Sequence, residues 1–159
     1  MSEPNLKAVA LARRFQQIAE TRMRGLPLLH PGLAVETVGF AWQKIEPHAQ
    51  TGVLGILVTP WCMNLVWLPD EAQPRPGDGS VREYRIGDER LDFCSFEDEV
   101  FGHYQSCSLF SPMFDFVDAQ AARETAVQVL ALLRRPPVEV PANPGRRSLL
   151  FGRLLENRS

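Results

Sequence analysis

The sequence predicts an α+β fold: a single domain in which an antiparallel sheet of about five to six strands carries an N-terminal and a C-terminal helix. Three observations predict it. Segments near residues 6–23 and 119–133 repeat apolar side chains at three-to-four spacing, the period of one helix face. Between them lie short alternating or wholly apolar runs bounded by Gly, Pro and Asn, the pattern of strands and their turns. A sheet with one apolar side needs a cover, and two helices packed on one face supply it. At 159 residues the chain suits one domain, expected over residues 1–135, with a Pro-rich linker and basic tail over 136–159 that is mobile in part.

The elements follow in order. Leu6, Ala10 or Leu11, Phe15, Ile18 and Met23 form the first helical stripe, with Lys7, Arg13, Arg14 and Glu20 outside it. Ser2 is the expected N-cap, Glu3 and Pro4 fit a first turn, and Gly25 and Pro27 stop the helix. Residues 33–45 alternate as a strand with one wet face. The run Gly52 to Val58 is apolar throughout, as in a central strand, and Met63 to Leu68 follows after Thr59-Pro60-Trp61-Cys62. Residues 69–80 hold three prolines and two glycines, which makes them a loop. Val81 to Ile86 and Leu91 to Phe96 read as a hairpin across Gly87-Asp88-Glu89, and Phe101 to Ser108 as a further strand. Pro112 to Phe116 reads as a tight helical turn. Asp118 caps a second helix, marked by Ala122, Ala126, Val129 and Leu133, that ends before Pro136-Pro137.

Charge narrows the function. The net value of −2 lacks the basic excess of a nucleic-acid binder. Residues 1–25 carry five basic and two acidic side chains, whereas residues 26–100 carry five and twelve. An acidic middle between basic ends attracts a basic partner segment or the chain's own termini. Three cysteines without a CxxC pair fit a reducing cytoplasm better than a secreted disulfide scaffold. Residues 47–69 hold no Lys, Arg, Asp or Glu, a stretch long enough to cross a bilayer. Gly52, Gly55, Pro60 and Asn64 break it into two buried strands, so no membrane insertion is expected.

Few residues suggest chemistry. Cys62, Cys94, Cys107 and His103 are a conceivable metal set, but the spacings are not those of a zinc module. His103 and Cys107, four apart on a strand, stand about 13 Å from each other by strand rise, too far for a nucleophile and its base. His30 and His48 fall in loops without evident partners. No phosphate-cradling loop, nucleophile elbow or HExxH helix is present. What remains is soft apolar chemistry near turns: Trp61, Cys62 and Met63 in one block, and Phe110, Met113 and Phe114 in another. Such side chains either repack around apolar ligands or staple the sheet to the second helix.

Two blocks, Thr59-Pro60-Trp61-Cys62-Met63-Asn64-Leu65 and Cys107-Ser108-Leu109-Phe110-Ser111-Pro112-Met113-Phe114, resemble signature segments of the HybE-type [NiFe]-hydrogenase assembly chaperones. The length and the helix–sheet–helix order are similar too. The resemblance implies a bacterial, cytoplasmic, non-catalytic accessory protein without cofactor. Its implied partners are the iron–sulfur small-subunit precursor, which bears a twin-arginine signal, and other hydrogenase accessory proteins. On that basis the acidic residues Glu97, Asp98 and Glu99 are candidates for the basic part of the signal. Trp61, Cys62, Met63, Phe110, Met113 and Phe114 are candidates for its apolar part. Two alternatives stay open: a metal- or thiol-dependent redox protein that protects or repairs clusters through Cys62, Cys94 or Cys107, and a scaffold that joins maturation factors. Arg146-Arg147-Ser-Leu-Leu-Phe151 resembles a twin-arginine consensus and is a candidate internal competitor.

Overall fold

The computed structural model describes residues 2–46, 49–70 and 75–135. Helix α1 (Glu3–Glu20) starts at Ser2, whose hydroxyl accepts the Asn5 N–H, and closes on Thr21, earlier than Gly25 suggests. Six strands follow: β1 (Glu36–Ile45), β2 (Gln50–Val58), β3 (Met63–Pro69), β4 (Val81–Ile86), β5 (Glu89–Asp98) and β6 (Gly102–Phe110). Helix α2 (Ala119–Leu133) ends the described chain, capped by Asp118 through the Ala121 N–H at 2.8 Å. Residues 112–116 form a single turn, closed by the Phe116 N–H on the Met113 carbonyl at 3.1 Å. The expectations for residues 136–159, a mobile tail with an internal competitor, lie outside the described residues, as does His48.

The sheet is antiparallel throughout, in the order β1-β2-β3-β6-β5-β4. It is also curled. Glu46, just past β1, and Arg85 on β4 exchange both backbone hydrogen bonds, at 3.1 and 2.9 Å, so the two edge strands meet at one point. Gly87, with φ +61°, turns the β4–β5 hairpin; a Cβ there would come within 2.6 Å of the Leu133 carbonyl at the end of α2.

The helices lie on opposite faces of this sheet, not on one. Inside the curl, Ala122, Ala126, Val129 and Leu133 of α2 pack among Leu54, Ile56, Leu65, Trp67 and Phe93. On the outer face, Ala8 and Leu11 of α1 pack with Phe40, Val53, Leu57 and Val66. The reason lies in β2: from Gly52 to Val58 every residue is buried, whichever way it points, so both faces need a cover. Gly55 has Phe40 directly over it, and a side chain there would overlap that ring.

Candidate functional site

The first block is a turn held by its own threonine. The Thr59 hydroxyl oxygen accepts the N–H groups of Trp61 and Cys62, at 3.2 and 2.9 Å, and the Thr59 N–H donates to the Cys62 carbonyl. This aims the half-exposed Trp61 ring at Phe15 of α1, with centroids 6.5 Å apart. Met63, at the start of β3, is sealed and pairs in register with Phe110 at the end of β6. Phe110 in turn packs edge-on against Phe116, and Met113 is also sealed. Phe114 is 52% exposed and stacks on His30 at 6.2 Å.

The six soft candidates therefore divide. Cys62, Met63, Phe110 and Met113 belong to the chain's own core in this conformation, whereas Trp61 and Phe114 reach the surface. The cause is register: Met63 opens β3 with its side chain on the inner face, opposite Phe110. His30, which has no evident partner in the sequence, touches both blocks. Its N–H donates to the Pro60 carbonyl at 2.9 Å, its Nδ1 accepts the Gly32 N–H at 2.9 Å, and its Nε2 lies 2.7 Å from the Phe116 carbonyl oxygen.

Two of the three acidic candidates, Asp98 and Glu99, already have partners from the N-terminal segment. Arg14 forks onto Asp98, Nε to Oδ2 at 2.7 Å and an Nη to Oδ1 at 3.1 Å, with both side chains about nine-tenths buried. Asp98 also accepts the Val100 and Phe101 N–H groups, which shapes the turn between β5 and β6. Burial pushes its carboxyl upward, but the Arg14 fork and the two backbone bonds outweigh this and hold it below the usual carboxylate range. Glu99 is exposed and meets Arg22 at 2.9 Å. Glu97, on the inner face, lies 3.3 Å from His103 Nδ1 and 3.8 Å from Arg75. Burial lowers the His103 pKa; Glu97 works against that shift. Asp98 is thus structural, the pair of Glu99 with Arg22 faces solvent, and the half-exposed Glu97 leans on the buried His103 ring.

An aromatic row links the two halves of the candidate set. From Trp61 it passes to Phe15, then to Tyr104 at 6.0 Å, and from Tyr104 to Phe96 at 5.2 Å and Phe101 at 6.1 Å. Phe101 and Phe96 border the acidic turn. Trp61, Phe15, Phe101 and Tyr104 are half-buried and Phe96 is exposed, so the row forms an apolar strip with carboxylates at one end. Desolvation, with the Asp98 charge second, raises the Tyr104 pKa to about 12 and keeps its phenol neutral. Sequence reasoning missed Phe15, Phe96, Phe101 and Tyr104 as a group, although Phe15 stood in the stripe of α1. A cleft of about 540 Å³ also runs along α1, floored by Ala10, Leu68 and Phe101 and rimmed by Leu6, Arg13 and Arg75. Its basic rim suits a basic segment poorly.

Burial pushes the Cys62 thiol up, against smaller opposing effects of Thr59 and Asn64, which is the reverse of a reactive thiolate. Cys107 is buried and Cys94 half-buried. Among the described residues no three His, Cys, Asp or Glu side chains converge as a metal-ligand set, and no described helix is long and apolar enough to cross a membrane.

Fold and surface together define a small α+β domain: a curled sheet plugged by one helix, with aromatic side chains and carboxylates outside. Residues 7–152 match the model of the family described as "[NiFe]-hydrogenase assembly, chaperone, HybE". The hydrogenase expression/formation protein HupT of Azotobacter chroococcum is 46% identical over 150 residues, covering 91% of this chain and 94% of that protein. Protein HoxT of Cupriavidus necator is 40% identical over 157 residues, covering 90% and 87%. The solution structure of HybE from Escherichia coli matches with a TM-score of 0.62 at 26% identity, over 92% of this chain and 89% of that one. The chain belongs to the HybE family of [NiFe]-hydrogenase assembly chaperones.

Proposed function

We propose that this chaperone acts in the cytoplasm, without catalysis or cofactor, by binding the precursor of the hydrogenase iron–sulfur small subunit before export. Other hydrogenase accessory proteins are further partners. The basic head of the signal sits at Glu99, with Glu97 on the inner side of the same turn, and the apolar part that follows lies along the outer aromatic row toward Trp61 and Phe114. The observation that carries this reading is the continuity of that row with the acidic turn, because a basic-then-apolar segment needs those two surfaces end to end. Arginine forks match carboxylates, and half-buried aromatic faces bury apolar side chains with little loss of rotamer freedom. Met63, Phe110 and Met113 support this surface from below.

The test is affinity for the purified precursor and for its signal-free form, measured at low and at physiological salt. The full precursor is expected to bind and the signal-free form to bind at least about tenfold more weakly. Reversing charge at Glu97 and Glu99, and sparing Asp98, is expected to weaken binding most at low salt. Equal affinity for the two client forms would exclude the signal as the bound element. Unchanged affinity in the reversal variant would remove the acidic turn from the site.

A further inference from the structure

We infer that His30 is the positioning residue that joins the two signature loops into one docking surface, an inference that rests on the docking reading above. Its main-chain N–H holds the Pro60 carbonyl at 2.9 Å, next to Trp61. Its ring reaches the other loop. Nδ1 accepts the Gly32 N–H at 2.9 Å, which leaves the ring proton on Nε2, and Nε2–H donates to the Phe116 carbonyl at 2.7 Å. The ring face backs Phe114, with an interplanar angle of 18°. One residue therefore sets the position of two surface aromatics, Trp61 and Phe114, from segments far apart in the chain.

The need for such a joint follows from exposure. Phe114 and Val117 on one loop are 52% and 67% exposed, and Leu26 and Leu28 on the segment that carries His30 are 41% and 48% exposed. These four side chains have little burial of their own to fix them, whereas Met113 and Phe116 beside Phe114 are sealed in the core. Binding to a surface that must first be ordered loses affinity to that ordering, and a ring bonded at both nitrogens removes part of the loss beforehand. With this joint in place the aromatic row does not stop at Trp61; it continues across Pro60 and His30 to Phe114.

The two ring nitrogens make the inference testable with isosteres in the full-length chain. Asparagine keeps an acceptor near Nδ1 for the Gly32 N–H, and glutamine keeps a donor near Nε2 for the Phe116 carbonyl. His30→Ala is expected to weaken precursor binding about tenfold, the scale of one lost hydrogen bond and its packing. His30→Gln is expected to recover most of that loss, and His30→Asn little, while the Gln and Asn variants melt at similar temperatures. Wild-type binding with unchanged affinity in His30→Ala would overturn the inference and leave the docking reading standing. No binding by the wild-type chain would overturn the docking reading itself. Should the alanine variant fail to fold, the contrast of Gln with Asn decides, since equal affinities would mean a merely local role in the turn.

Discussion

The two helices of this domain are held by different physics. In α2, Ala122, Thr125, Ala126, Val129, Leu130 and Leu133 are all buried, and Arg134 at its end donates to the Gly39 and Leu54 carbonyls. In the longer α1, only Pro4, Ala8, Leu11 and Arg14 are buried, and the last of these is a charge matched by Asp98. The inner helix is a plug of the core. The outer helix is a thin apolar stripe with an ionic fork, and its flank leaves Phe15 half-covered. The larger apolar core lies inside the curl, and the half-covered aromatic row lies outside it.

The largest expected effect comes from breaking the inner side. Met63→Ala should cost about 2–5 kcal/mol in urea unfolding, because it opens a void between β3 and β6 that the sheet cannot close. Precursor affinity per folded molecule should stay near wild type, which separates its supporting role from direct contact. Asp98→Asn should have a smaller but definite effect on the outer side, lowering the urea midpoint by loosening α1. Its acid limb is diagnostic. The folded-state pKa of Asp98 is depressed, so its contribution is complete above the ordinary value of 3.8 and is lost as pH falls through the lower, folded value. The asparagine variant should flatten that limb.

His103 sharpens the contrast from within. Its folded pKa lies below the ordinary 6.5, so the unfolded chain binds the proton more readily. Stability should therefore decline as pH drops below about 6.5, and His103→Gln should reduce that slope in pH-dependent melting. The smallest expected stability effect is that of Arg22→Ala on the exposed rim, within about 0.5 kcal/mol. The same change leaves Glu99 with Arg14 alone, at 3.5 Å, and should tighten precursor binding by up to about threefold at low salt, the reverse of an ordinary contact loss.

Much of the fold was legible because its signals are local. Ser2 and Asp118 announced their helices by capping, and Gly87 announced the β4–β5 hairpin. That the helices take opposite faces follows from Gly52–Val58, which is apolar on both sides, whereas the alternation over residues 33–45 points to one covered face. The surface was less legible, since its decisive contacts span the chain: Arg14 and Asp98 are 84 residues apart, and His30 and Phe116 are 86 apart. Charge segregation left open a basic partner segment or the chain's own termini, and the N-terminal segment does meet the acidic middle through Arg14 and Arg22. No spacing rule could tell that Met63 and Phe110 face inward while Trp61 faces out, because that depends on strand register and on the Thr59 turn.

The backbone exchange between Glu46 and Arg85 has a consequence for a member of an assembly-chaperone family. An open sheet offers its border strands as a template on which any extended neighbour can add itself. Here the two borders clasp one another at one point, so fewer free amides and carbonyls stay available to such a neighbour. The domain is thereby less prone to edge-to-edge aggregation with other extended chains.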